Sequence, residues 1–569
     1  MSRYALDSIG GTKPFREMAF GHGPGDPSTW ESNVMTADQN AEDPDRDEWD
    51  VIVVGTGMGG STVGFELARL GRRVLFLEKG KFLHGVPSSH QVRPEGCSEE
   101  EARLLMGRWP LRLKGWTSFG QVEFFAPLGC GTGGSTALYG AQLERFFVGD
   151  LHPKASFPDV PDANLEDEWP ISYEELVPYY RRAETHYRVC GTPDPLNPDR
   201  EAKLREPPPL SERDQFFFES FTSLGLHPYR SHVGFHQVDD CRECLDLCLR
   251  NCKSDAGSRS LVPALTQHGA RLLHECEVQE LISDRMRVKA VSAIWKGRQI
   301  RIAAKVIVLA LGAFMTPVLL LNSRSPDWPT GLANSSGAVG RNLMLHTSDF
   351  LIVDQSKKRS AVGPIKSLSL NDFYYNDGKK LGTMQSVGVP MVAPFILEYL
   401  QYTQEKDPRW QTRLLGNHLS SIADIAARTF VRSSLFSTIV EDLPYLENRV
   451  LADPNAPNGM RFEYTYSAEL RQRNRHLRKQ LARILGSRHK VRVVTGTTNN
   501  INYGHVCGTC RFGKFHKTSV LDRTNRAHGL DNLYVVDASF FPSSGGTNPS
   551  LTVAANALRV AEIIHQQFN

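Results

Sequence analysis

The chain has 569 residues, with 66 Lys and Arg against 63 Asp and Glu, a formal charge of +3. So small an imbalance gives no reason to expect nucleic acid as a partner. Hydrophobic residues at 40%, charged residues at 23%, 47 Gly and 33 Pro exclude collagen-like, low-complexity and disordered classes and leave a globular protein.

No stretch reaches the ~18–20 apolar residues of a membrane helix. The longest candidate, Val306 to Leu321, is interrupted by Gly312 and Pro317 and reads as a buried strand entering a helix, so no membrane span is expected. The N-terminus has neither the apolar segment nor the small-residue cleavage site of a secretory signal. Ten cysteines are too sparse for a disulfide framework, and a reducing, cytoplasmic setting is expected.

In chain order, residues 1–47 are polar and rich in Gly and Pro, and read as an extension. Val51 to Val54 predicts a strand, Ser61 to Leu70 a helix, and Val74 to Leu77 a second strand, a βαβ opening. Residues 85–127 read as irregular. Within 151–240 one helix is clear, starting at Ser172 with Glu175 three residues on as a capping box. Short strands recur from Arg271 to Leu311. Residues 468–485 predict a basic helix with Leu470, Leu477, Leu481 and Ile484 on its apolar face. Its arginines read as a solvated face rather than a nucleic-acid surface. A strand from Leu533 to Val536 and a helix from about Pro549 to Phe568 close the chain.

The first motif with a mechanism is Gly55-Thr56-Gly57-Met58-Gly59-Gly60, between the first strand and the first helix. Gly55 allows the tight turn, Gly57 lets backbone approach a pyrophosphate, and Gly60 lets helix and strand pack closely. The helix N-terminus offers free N–H groups to phosphate. Glu78, at the end of the second strand, is placed to accept ribose hydroxyls. The context implies a dinucleotide without separating FAD from NAD.

Four further stretches narrow the reading: Leu128 to Gly140 (LGCGTGGSTALYG), Val308 to Pro317, Gly504 to Gly513 (GHVCGTCRFG), and Asn532 to Asn556. In this order and spacing they resemble the glucose–methanol–choline (GMC) oxidoreductase family, over residues 48–569. The resemblance implies an α/β fold: a discontinuous Rossmann-like FAD-binding domain (48–150, 250–347 and 500–569) and a substrate-binding domain on an antiparallel sheet (151–249 and 348–499). It implies oxidation of an alcohol to a carbonyl, with oxygen or another electron acceptor. Gly133, Gly134 and Ser135 would lie against the flavin, with Asp537 and Asn548 also at the cofactor. Tyr139 stands where many members have Asn, and Phe512 where relatives often have Met. No histidine in the glycine-rich loops suits a covalent flavin link, so FAD is expected to be non-covalent.

The family's active-site histidine corresponds to His505 and its His or Asn partner to Asn548. Imidazole suits removal of a hydroxyl proton near neutral pH. Asn548 would hold the substrate oxygen, or else cap the terminal helix. Glu441 resembles an acid of bacterial relatives and reads equally as a pocket acid or a solvated turn carboxylate. His346 reads as structural packing. A sugar, polyol or secondary-metabolite alcohol is expected as substrate. The alternatives are a hydroxynitrile-lyase-type enzyme on the same fold and the flavin subunit of an electron-transfer complex.

Cys241, Cys244, Cys248 and Cys252 form one stripe if helical. On a straight helix the outer two would stand about 16 Å apart, too far for one metal site, so a cluster requires the segment to loop. Buried thiols, a metal or iron–sulfur site, and a disulfide all stay open. Related sugar dehydrogenases carry an iron–sulfur cluster on cysteines of the corresponding stretch, so the resemblance implies one here, although the Cys241–Cys244 spacing departs from that motif.

Overall fold

A computed structural model describes residues 48–84, 96–197, 202–235, 247–248, 252–376, 378–389, 391–406, 418–494 and 500–568. The chain divides into two units, Met1–Asn40 and Ala41–Asn569, and all described residues belong to the second. The expected extension, 1–47, lies outside them.

The first sheet has five parallel strands, in the order Leu533–Val535, Ala304–Leu309, Trp49–Val54, Val74–Leu77 and Arg271–Leu273. Val51 pairs with Val74 on one side and Val306 on the other. Side chains alternate between faces. Val51 and Val53 pack against helix Met58–Arg69 and the terminal helix, Ser550–Gln566, through Val63, Leu67, Val560 and Ile564. Ile52 and Val54 face the other way, in the cluster that holds the antiparallel sheet Cys276–Ser283, Val288–Trp295 and Arg298–Ile302. With both faces covered, the strands must be almost wholly apolar, as they are. This is the Rossmann-like half that the βαβ opening predicts.

The second large sheet has eight strands. Its path runs Val491–Val494, Phe350–Asp354, Ser433–Val440, Gly382–Ser386, Leu368–Leu370 and Tyr229–Arg230, all paired antiparallel. Met344–Thr347 joins it and pairs in turn with Ile501–Cys507. These strands come from distant parts of the sequence, so their pairing is set by tertiary contacts.

Three regions differ from the sequence reading. Residues 85–127 hold more than irregular chain: Glu99–Leu105 is a helix with a full capping box at Ser98, and Leu113–Thr117 pairs with Gly120–Phe124 as a hairpin. Met460–Tyr464 extends that hairpin in parallel, which local patterning does not reveal. A second helix, Glu212–Ser223, follows N-cap Ser211; three consecutive phenylalanines, Phe216 to Phe218, blur its helical period, and only Phe217 of them is fully buried, with Phe221 one turn on. In helix Ala468–Gly486, Arg473 is buried rather than solvated, and Arg478 makes two hydrogen bonds to the Asp349 carboxylate.

The capping box at Ser172 is present: Glu175 N donates to Ser172 Oγ, and Ser172 N donates to the Glu175 carboxylate. Among the described residues no helix is long and apolar enough to cross a membrane.

Gly60 is fixed by packing alone. A Cβ there would stand 2.0 Å from the Gly55 carbonyl oxygen and 2.9 Å from Ala310 Cβ. Gly60→Ala should therefore destabilise the protein by about 1–3 kcal/mol, the usual cost of overpacking, whether or not ligand is present. Denaturant unfolding of the ligand-free protein checks this, and an unchanged midpoint would contradict it.

Candidate active site

A cavity of about 540 Å³ runs along the C-terminal edge of the parallel sheet. It is lined by Gly55 and Gly57 of the first loop, by Glu78, by Gly134 and Ser135, by His505 and by Asp537. Open α/β sheets bind ligands at this edge. Helix Met58–Arg69 starts beside it with no side-chain cap, so its first N–H groups are left to a ligand.

The glycines divide by role. Gly55 has φ +93° and lies against the backbone of Ala310. Gly59, which motif reading passes over, abuts the Val536 carbonyl at 2.2 Å from an added Cβ. At Gly57 an added Cβ meets nothing within 4 Å. Its freedom from a side chain serves the cavity and not the fold, which is the fit expected of a loop that cradles a pyrophosphate. Gly134 packs onto it, with an added Cβ only 2.8 Å from Gly57 Cα. Gly133 sits just behind, at φ +88°, and Gly60 serves helix packing.

Glu78 does more than the sequence assigns it. Its carboxylate accepts Thr56 N at 3.1 Å, Thr56 Oγ1 at 2.6 Å and Gly80 N at 2.9 Å. These take three of its about four accepting positions, leaving room for one ribose hydroxyl rather than two. Asp537 likewise accepts from Gly312 N, Thr316 Oγ1 and Ser539 N, tying two strand-end turns together. The two thiols on the cavity, Cys130 and Cys276, are pushed up to about 12 by burial and stay protonated.

His505 and His346 stand on the paired strands Ile501–Cys507 and Met344–Thr347, and the register shifts at His346. Such irregularities re-aim side chains. His346 Nδ1 lies 2.9 Å from His505 Nδ1. His346 Nε2 lies 2.8 Å from the Gly545 carbonyl and 3.2 Å from that of Ser544. Carbonyls only accept, so Nε2 of His346 carries the proton. Burial holds His346 down at about 4, so it is neutral and its Nδ1 is an acceptor. His505 must then donate from Nδ1. Burial above all, with the Lys366 ammonium adding to it, holds His505 well below the ordinary value, so it too is neutral. Its Nε2 is therefore a bare acceptor. The tautomers follow from the hydrogen-bond network. His346 is thus the partner that orients His505, a role its sequence position conceals.

Asn548 does not cap the terminal helix, whose N-cap, Pro549, offers no side-chain bond. Its Oδ1 accepts Gln385 Nε2 at 2.7 Å, which leaves its amide N–H groups to offer. Pro549 and Ser550 beside it line the cavity.

Glu441 is neither a pocket acid nor a solvated one. It is fully buried, with Oε2 at 2.5 Å from Lys380 Nζ, and Asp150 Oδ1 lies at 2.5 Å on the same ammonium. Burial opposes the Lys380 charge, but the two carboxylates outweigh it and hold the amine protonated. Glu441 Oε1 also accepts Gly545 N, and Tyr374 OH accepts Gly546 N, so this cluster pins the loop that holds His346.

Of the four cysteines, Cys241 and Cys244 lie outside the described residues. Cys248 and Cys252 are not helical, and their sulfurs lie 3.5 Å apart. Among the described residues no group of three or more His, Cys, Asp or Glu is placed to hold a metal ion.

A nucleotide-type cavity with a neutral, oriented histidine on its wall fits a cofactor-dependent oxidoreductase. Two GMC oxidoreductase models match the chain, over residues 164–348 and 444–557. The chain belongs to this family, whose members are FAD-binding flavoproteins, and it is an enzyme of alcohol oxidation. It is 27% identical to paromamine 6'-oxidase of Streptomyces fradiae over 551 residues, covering 92% of each chain. It is 28% identical to 2-methyl-1,2-propanediol dehydrogenase of Mycolicibacterium austroafricanum, covering 92% of this chain and 96% of the relative. The fructose dehydrogenase large subunit of Gluconobacter japonicus is 24% identical, with 90% and 97% covered. Among solved structures, pyridoxine 4-oxidase from Mesorbium loti shares the fold, with a TM-score of 0.62 at 19% identity, covering 91% of this chain and 99% of that one.

Because Gly57 faces the cavity, Gly57→Leu should purify without FAD while the far-UV circular dichroism of the ligand-free protein stays that of the wild type. Wild-type FAD content in this variant would contradict the assignment of the loop.

Proposed function

We propose that the protein oxidises a hydroxyl of a sugar, polyol or secondary-metabolite alcohol, with His505 as the general base. The observation that carries this is the hydrogen-bond line from Gly545 through His346 to His505, which leaves Nε2 as an acceptor on a residue of the dinucleotide cavity. FAD, when bound, supplies the hydride acceptor. Gly57, Gly134, Ser135 and the uncapped helix would hold it, with Glu78 and Asp537 bracing the turns around it and no covalent link.

His505 Nε2 takes the hydroxyl proton as the carbon gives up its hydride. The bond from His505 Nδ1–H to His346 keeps the ring in the tautomer that can do so. Asn548, anchored by Gln385, donates to the substrate oxygen and holds it in line. Bleaching of the flavin by substrate without air separates oxidation from lyase chemistry. Likeness to the fructose dehydrogenase large subunit favours a second reading of the acceptor, in which electrons leave to a partner rather than to oxygen. Reoxidation rates with air and with dyes decide between them.

His505→Ala should slow anaerobic flavin reduction by roughly 10²–10⁴-fold, with FAD content preserved. Stopped-flow reduction at the wild-type rate would remove His505 from the chemistry. Protonation removes the base, and its pKa is held low, so wild-type reduction should be flat through neutrality. It should fall only as pH drops well below 6.5. An acid limb centred at or above 6.5 would contradict the enclosure of His505. Acid precipitation should leave free FAD in the supernatant; colour retained in the pellet would show a covalent link.

A further inference from the structure

Lys366 is a cation that the mechanism above leaves unused. It stands at φ +47°, a left-handed conformation that is strained for a long side chain. Two close approaches hold it there. A Cβ on Gly388 would stand 2.7 Å from Lys366 N, and a Cβ on Gly140 would stand 2.0 Å from Lys366 Cε. The stem thus fills the space above a glycine of the turn that continues the Gly133–Ser135 loop.

Lys366 lies deep in the protein, yet the residue keeps part of its surface accessible. Its hydrogen bond is to Gln142 Oε1, at 3.2 Å. Among the described residues no carboxylate pairs with it, and burial alone pushes its pKa down to about 8. Its charge acts on His505. Gln142 is itself 3% exposed, and its Nε2 has no hydrogen-bond partner among the described residues. The Lys366 ammonium and Gln142 Nε2 are thus two donors carried by one hydrogen-bonded pair, and Nε2 has no acceptor among the described residues.

A buried charge without a counter-charge is costly, and so is a buried donor without an acceptor. A ligand that brings both a negative charge and acceptor oxygens relieves the two at once. We propose that Lys366 and Gln142 form a subsite for the carboxylate of a hydroxy-acid or sugar-acid substrate, beside His505. This rests on the alcohol-oxidation reading for its catalytic consequence, but the subsite itself is testable without turnover. A neutral hydroxyl in place of the carboxylate would satisfy the donors and leave the charge unpaired.

Acetate and its neutral isostere acetamide should be titrated calorimetrically into air-oxidised holoenzyme at pH 7. Acetate should bind at least tenfold more tightly than acetamide. Lys366→Met should weaken acetate by about 10–100-fold, the worth of a charge-assisted hydrogen bond, while Lys366→Arg retains binding. Gln142→Leu should weaken it less, and serves if Lys366→Met fails to retain FAD. Acetate binding that is absent, equal to acetamide, or unchanged in both variants overturns the proposal. Anaerobic flavin reduction by glycolate against ethylene glycol and by gluconate against glucitol forms the second arm. In any pair that reduces the flavin, the acid should be the better substrate, and Lys366→Met should erase that preference; preference for the neutral member overturns the subsite. If acetate binds as stated and no alcohol bleaches the flavin, the subsite stands and the catalytic reading falls.

Discussion

The proposed chemistry hangs on one hydrogen-bond line, from the Gly545 carbonyl through His346 to His505. A carbonyl has no proton to give, and that single fact sets the tautomer of both rings. Two neutral imidazoles in contact would otherwise be free to exchange roles. Everything behind the line acts to hold the carbonyl still. Glu441 receives Gly545 N, Tyr374 receives Gly546 N, and Asp150 receives the Tyr374 hydroxyl. Lys380 joins the two carboxylates in the interior. Removing one member of such a cluster strands the others as buried charges, so it acts as a unit.

The cofactor half obeys a different constraint, close approach of backbone to backbone. Gly55, Gly59 and Gly60 each occupy a place where a Cβ would overlap a neighbouring chain. They bring the first strand, its helix and the turns after the other strands near enough to make a continuous cavity edge. Gly57 alone among them faces open space. One short motif thus contains both folding glycines and a ligand glycine, which the pattern cannot separate.

The relatives act on chemically different alcohols, an aminoglycoside, a small diol and a ketose by their names, at 24–28% identity over nearly the whole chain. Such a range on one fold means that substrate choice rests in the few side chains that face the hydroxyl compound. In the reading proposed for this chain that role falls to Lys366, Gln142 and Asn548, the last held by Gln385.

From the sequence alone, the parallel sheet, its covering helices and the dinucleotide loop were legible, because short-range periodicity and glycine spacing carry them. Family resemblance singled out His505 and Asn548, though not the hydrogen-bond partners the structure gives them. The burial of Arg473, the pairing of Leu113–Thr117 with Met460–Tyr464 and the locking of Glu441 by Lys380 were not. Nor was the contact between His346 and His505, 159 residues apart in the chain. Local pattern reports which face of an element is apolar. It carries no signal for which distant polar group meets another inside, and the protonation states at the centre of this protein are set by those meetings.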